Sequence, residues 1–268
     1  MRYLGLCAII KDEDPFLEEW VAYHMSLGVE TFYLYDNASE IPVRDSLRRF
    51  SSLATGASIM VYDAPGKMQQ MPAYHHCLAK HADDCRWIAF VDSDEFITPS
   101  RADSIPAMLA EFEPYAGLAL NWRTFGSNGH KLRPQGLQIE NYTRALEDSH
   151  GMHSLLKSIV NPRSAKFFPN PHFCLLRNEA EHIVSEDHLP IDRAERPGAT
   201  WDKGRISHYF YRSSQDFHLK TLRPRADNGE ARPKGAKPPV GEVEDRTAAR
   251  FADGVRAILD RLGRENAG

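Results

Sequence analysis

Residues 86–100 read RWIAFVDSDEFITPS, and this stretch decides how the chain is read. Trp87-Ile88-Ala89-Phe90-Val91 is an apolar run of strand length that drives straight into Asp92, Asp94 and Glu95. Acids crowded at the end of a buried strand repel one another and lose solvation. Either they hold a cation, or they lie in solvent just past the strand end. An Asp-x-Asp in extended backbone puts both carboxylates on one side of the segment. Hard cations such as Mg2+ and Mn2+ take oxygen ligands, commonly one or two carboxylates plus substrate phosphates. The motif by itself leaves both readings open.

The upstream sequence supplies the context. Residues 3–10, YLGLCAII, form a continuous apolar run, as a strand buried on both faces of a parallel sheet requires. Lys11-Asp12-Glu13-Asp14 ends it; Asp14 reads as a helix N-cap and Pro15 as the first helical residue. Phe16, Leu17, Trp20, Val21, His24 and Leu27 make a helical stripe, and Gly28 is placed to end it. ETFYLYDNAS follows as a second strand, closing on Asp36-Asn37. A second round predicts a helix over Leu47–Leu53, a strand over Ala57–Tyr62, a helix over Ala73–Ala82 and a strand over Trp87–Val91. This alternation predicts an α/β fold with a mostly parallel sheet and helices on both faces. Sites in such sheets lie at the carboxyl ends of the strands. Lys11, Asp36-Asn37 and Asp92-Asp94-Glu95 all fall there, which favours a functional reading of the acids.

The second half is less regular. It predicts a helix over Ile105–Phe112 and strands over Gly117–Asn121, Ser158–Val160 and His172–Leu176. PRADNGEARPKGAKPPVG, residues 224–241, reads as a mobile loop or linker. An amphipathic helix is expected from about Glu244 to Leu262, with Phe251, Val255, Ile258, Leu259 and Leu262 on one face. No internal repeat is visible. The chain divides into residues 1–225, one α/β domain, and 226–268, a loop and helix packed on or extending it.

Bulk properties narrow the function. The 268 residues are 42% hydrophobic and 26% charged, ordinary for a globular protein. A net charge of −4 removes any compositional case for a broad nucleic-acid-binding face. Cys7, Cys77, Cys85 and Cys174 form no CxxC pair and read as buried thiols of a reducing compartment. The opening MRYLGLCAIIK is too short for a signal peptide and no apolar run reaches about 18 residues, so a cytoplasmic location is expected. Peripheral contact with a membrane surface stays open.

The ordered motifs carry a resemblance over about residues 4–225. KDEDPFLEEWVAYHMSLGVETFYLYDNAS, QQMPAYHHCL, WIAFVDSDEF, NWRTFGSNGH, KSIVNP, NPH and ISHYFYRSSQDFHLKTLRPRA stand in collinear order. Together they resemble the GT-A glycosyltransferases, and more narrowly the family 2-related and family 92-like group that builds polysaccharides in bacteria and plants. The resemblance implies a GT-A fold, a nucleotide-sugar donor with UDP-sugar as first choice, and a divalent metal, Mn2+ or Mg2+. It implies an inverting hexosyltransferase acting on a glycan or a lipid-linked acceptor in surface polysaccharide synthesis.

Roles follow on the matching residues. Asp92 and Asp94 would bridge metal and diphosphate, with His208 as a third metal ligand. Lys11, Asp36 and Gln70 would contact the nucleotide, and Lys220 and Arg223, expected on one helix face, would hold the departing diphosphate. Asp36 in Asp-Asn-Ala-Ser reads equally as a turn cap. Trp122, Phe125 and Gly126 are expected at the acceptor, with core packing as the competing explanation for the aromatics. His24, His76 and His172 match family positions but read as packing or local hydrogen bonding. The loop over 224–241 is a candidate lid that would exclude water.

An inverting transfer also needs a base for the acceptor hydroxyl. Glu95 adjoins the acids, although strand alternation turns it away. Asp148 and Glu186 lie in candidate acceptor-side loops. All three stay open. A haloacid-dehalogenase-type phosphohydrolase also runs a strand into Asp-x-Asp, but its motif belongs to an early strand, and Phe96 stands where a Thr or Val is expected. A non-catalytic sugar- or nucleotide-binding relative is the remaining alternative.

Overall fold

The structure, a computed structural model, describes residues 1–52, 56–223, 228–231 and 235–265. Its principal strands are β1 (Arg2–Ile10), β2 (Thr31–Asp36), β3 (Ser58–Asp63), β4 (Cys85–Phe90), β5 (Glu95–Pro99), β6 (Gly117–Thr124), β7 (Leu156–Val160), β8 (Ile183–Ser185) and β9 (Gly204–His208). The helices that matter for the site are α1 (Asp14–Ser26), α2 (Gln70–His81), α3 (Ser214–Thr221) and α4 (Ala252–Glu265).

The main sheet runs in the order Pro190–Ile191, β8, β6, β7, β4, β1, β2, β3. Strands β1 to β4 are mutually parallel. β7 is antiparallel to both its neighbours, β4 and β6, and β8 runs parallel to β6. β9 leaves the plane to pair with β5 and with the end of β6. The expected α/β architecture with a mostly parallel sheet is the one found.

The apolar β1 run explains the layering. Leu4, Leu6, Ala8 and Ile10 join a core with Leu17, Trp20 and Val21 of α1 and with Val255, Ile258 and Leu262 of α4. Cys7 and Ile9 point to the other face, against Ala73, Tyr74 and Cys77 of α2. This is the period of two applied to a strand covered on both sides. Gly5 is needed there, because a Cβ would come within 3.0 Å of both Cys85 Sγ and Tyr33.

Several element bounds differ from the sequence reading. Helix α1 starts at Asp14, with Glu13 preceding it and no side-chain cap, so Asp14 is not the cap. Gly28, at φ +98°, does terminate it. Arg48–Ser52 is only a short 3-10 turn, and Leu53 lies outside the described residues. Strand β6 runs on to Thr124, which brings Trp122 to the sheet's carboxyl edge. Val243–Glu244 is not helical but pairs antiparallel with Arg144–Ala145, so α4 begins only at Ala252.

Of the candidate lid, residues 224–227 and 232–234 lie outside the described residues. Its end is fastened: the Pro239 and Val240 carbonyls accept the N–H groups of Ser127 and Asn128 at 2.7 and 2.9 Å. All four cysteines are buried and unpaired. Among the described residues no helix is long and apolar enough to cross a membrane.

Candidate active site

The carboxyl ends of β1, β2, β4 and β9 converge on a cleft of about 630 Å³. Lys11, Glu13, Asn37, Gln70, Asp92 and Asp94 line it from the first half of the chain. Trp122, His172, His208, Phe210, Lys220 and Arg223 close it from the second.

Each acid of the Asp-x-Asp has its own lysine. Asp92 Oδ2 accepts from Lys157 Nζ at 2.9 Å, and its Oδ1 accepts from Gln70 Nε2 at 2.5 Å. Lys157 is wholly buried on β7. Burial alone would lower its ammonium, but Asp92 and Glu95 outweigh that and hold it well above the usual range. Asp94 Oδ2 is paired with Lys220 of α3, while His208 Nε2 lies 3.6 Å from Asp94 Oδ1. Burial would raise the Asp94 carboxyl; the Lys220 ammonium and His208 win, and it is held well below the ordinary carboxylate range. His208 is itself lowered by burial, against the pull of Asp94, which favours the neutral imidazole that ligates metals.

The rim is built from backbone and cations. Lys11 donates to the Asn37 and Ala38 carbonyls at 2.9 and 2.8 Å, tying the β1 end to the β2 end. Arg223 donates to the Lys11 and Asp12 carbonyls and lies 3.5 Å from Glu13. Glu13 is also paired with the buried Arg212 at 2.6 Å. Trp122 packs its ring 4.1 Å from that of His208.

A profile of glycosyltransferase family 92 matches residues 4–192. This chain belongs to glycosyltransferase family 92. It is 30% identical over 139 residues to the family 92 protein At1g27200 of Arabidopsis thaliana, covering 50% of this chain and 24% of that protein. It is 28% identical over 226 residues to the family 92 protein RCOM_0530710 of Ricinus communis, covering 81% and 37%. The chain thus spans between about a quarter and two fifths of these relatives' length. Among solved structures, the mannosyltransferase PcManGT of Pyrobaculum calidifontis, in complex with GDP-Man and Mn2+, matches at 15% identity with a TM-score of 0.35, over 46% of this chain and 36% of that one.

Within this family 92 chain, several residues singled out in the sequence stand away from the cleft. Asp36 spends its carboxylate on the turn behind it, accepting from the Ser39 and Val43 N–H groups at 2.8 and 3.0 Å. The turn-cap reading describes it. Glu95 is wholly buried beneath the acids, where it accepts the Asp92 N–H at 2.8 Å and lies 3.4 Å from Lys157. Burial pushes its carboxyl well up, opposed by Lys157 and reinforced by Asp92 and Asp94. Asp148 points into solvent and pairs with Arg123 at 2.6 Å. Glu186 accepts from Thr200 and from the Lys203 and Gly204 N–H groups, fastening the entry to β9. None of these three carboxylates lines the cleft.

On the acceptor side, Trp122 lines the cleft and Phe125 does not. Phe125 is buried and stacks on Tyr209 with ring centres 4.9 Å apart. Gly126 is covered: a Cβ there would meet the Val240 carbonyl group at 2.5 Å. Lys220 and Arg223 do not share a helix face, because α3 ends at Thr221, yet both reach the cleft. The structure also brings in Lys157, Glu13, Arg212, His172 and Phe210. Lys157 left a faint signal, a lone cation on the shoulder of the apolar run KSIV.

The donor set fits a hard cation with two protein ligands. Asp94 Oδ1 and the neutral His208 face each other at 3.6 Å within the cleft. Asp92 is turned instead to Gln70 and Lys157. Among the described residues no three His, Cys, Asp or Glu side chains are grouped to hold a metal, so remaining ligands would come from substrate.

Proposed function

We propose that this chain is a metal-dependent inverting glycosyltransferase. It moves a sugar, a hexose, from a nucleotide-diphosphate donor to a hydroxyl of a glycan or lipid-linked acceptor in surface polysaccharide synthesis. UDP-sugar is the first donor to test. The observation that carries the reading is the pairing of Asp94 with both His208 and Lys220 at the carboxyl edge of the sheet. A carboxylate, a neutral imidazole and an ammonium meet there beside a guanidinium, Arg223, in one cleft. Such a set suits a diphosphate with its counter-cation.

Each residue then has a task. Asp94 and His208 would hold Mn2+ or Mg2+, which when bound neutralises charge on the leaving diphosphate. Lys220 and Arg223 would bind the diphosphate oxygens as point charge and planar fork. Lys11 shapes the nucleotide side by fixing the Asn37–Ala38 turn. Gln70 and Lys157 orient Asp92 so that its exposed edge can accept from donor hydroxyls. Trp122 offers an aromatic face to the apolar side of a sugar ring.

A panel of UDP- and GDP-sugars, incubated with the chain and Mn2+, tests the proposal by release of nucleoside diphosphate. Release that depends on the sugar and on Asp94 supports it. Saturable donor binding without turnover would favour the non-catalytic alternative.

A further inference from the structure

The tip of the hairpin formed by Ala165–Asn170 and Phe173–Leu176 carries Asn170-Pro171-His172. The Asn170 side chain accepts the N–H groups of His172 and Phe173 at 2.9 and 3.1 Å, an Asx turn that fixes the tip. Proline restricts the backbone between them. The His172 ring packs edge-on against Trp122, centres 5.2 Å apart at 71°. Its Nδ1 lies 2.9 Å from the Leu156 carbonyl oxygen. A carbonyl only accepts, so Nδ1 carries the proton and the neutral ring keeps its lone pair on Nε2. His172 lines the cleft, and among the described residues no protein group is bonded to Nε2.

The other carboxylates and the other imidazole of the cleft are committed. Its lining carboxylates are Glu13, Asp92 and Asp94. Glu13 is paired with Arg212 and Arg223, Asp92 with Lys157, and Asp94 with Lys220. His208 turns Nε2 to Asp94, and its Nδ1 is buried. Among the described carboxylates and imidazoles lining the cleft, His172 alone presents a lone pair without a protein partner.

We propose that His172 is the general base of the transfer, which deepens the transferase reading and rests on it. The acceptor oxygen bonds to the anomeric carbon while the bond from that carbon to the diphosphate oxygen breaks. The electron pair leaves with the nucleoside diphosphate, and the hydroxyl proton passes to His172 Nε2. The Leu156 carbonyl, already hydrogen-bonded to Nδ1–H, steadies the imidazolium that results. Burial, helped by the Lys157 ammonium, lowers this imidazole to about 4, so the ring is neutral before the reaction but a weak base until the negative charge of a bound diphosphate raises it.

The test uses the whole chain with water as the acceptor, reading nucleoside diphosphate release from UDP- and GDP-sugars, with UDP and GDP binding measured alongside by calorimetry. His172→Ala should keep nucleotide affinity and lose about 10²–10⁴-fold in rate. Imidazole added to the buffer should restore part of that rate in proportion to its concentration. His172→Gln, which can still bond the Leu156 carbonyl but has no basic nitrogen, should stay slow. A His172→Ala rate within about tenfold of wild type, with nucleotide binding intact, overturns the base and leaves the transferase reading standing. Loss of rate together with nucleotide binding, without imidazole rescue, also overturns it, as a structural role would behave so. Wild-type chain that neither binds nor turns over any donor overturns both.

Discussion

The Lys157 ammonium lies 2.9 Å from Asp92 Oδ2 on a lysine side chain with no solvent exposure. The first acid of the Asp-x-Asp is therefore neutralised from inside the sheet. Removing one partner of a buried pair costs about 3–5 kcal/mol, because the other charge is stranded. Asp92 keeps 32% of its side chain exposed, which softens the penalty. Lys157→Met should lose roughly 2–3 kcal/mol in urea unfolding, and adding Asp92→Asn should recover only part of it, because buried Glu95 still lacks its partner. A single-variant loss below about 1 kcal/mol would show that the pair is not structural.

His24 gives the protein an acid-side weakness. Its Nδ1–H donates to the Trp20 carbonyl at 2.9 Å and its Nε2 accepts the Ile97 N–H at 3.1 Å, so only the neutral ring satisfies both. Burial lowers its pKa to about 3, against about 6.5 in an unfolded chain. Between those values the unfolded chain binds the proton and the folded chain does not, so stability falls as pH drops through that window. The slope from this group approaches about 1.4 kcal/mol per pH unit. His24→Gln should cost about 1 kcal/mol at pH 7 and show a shallower decline between pH 6 and 4.5 than wild type. Parallel declines in the two proteins would count against this account.

Gly126 is a packing position. The Val240 carbonyl carbon and oxygen would lie 2.5 Å from an added Cβ, and both are backbone atoms. Gly126→Ala should push the Pro239–Gly241 segment outward and cost about 1–3 kcal/mol. Limited proteolysis should then cut sooner within 235–245. Unchanged stability with impaired acceptor use would restore the acceptor role.

The sequence revealed the strand ends because apolar runs closing on acids report burial on both faces of a sheet. The β1, β2 and β4 termini, with Lys11, Asp92 and Asp94, were legible for that reason. Lys157 was not, since a lysine beside KSIV looks like any strand shoulder until β7 is inserted antiparallel between β4 and β6. Asp36 was ambiguous because a carboxylate at a strand end serves a turn or a ligand with the same residues around it. Gly126 and Glu186 depend on partners 114 and 17 residues away, Val240 and Lys203, and no local pattern encodes those contacts. NPH was visible as a motif, but which ring nitrogen faced the cleft required the Leu156 carbonyl.

The most direct test of the donor site is calorimetric titration of UDP, with and without Mn2+, on wild type and on Asp94→Asn. Binding to wild type should strengthen at least about tenfold with Mn2+, and the variant should lose that gain. Equal, metal-independent titrations in both proteins would contradict the assignment of Asp94 and His208 to a metal–diphosphate site.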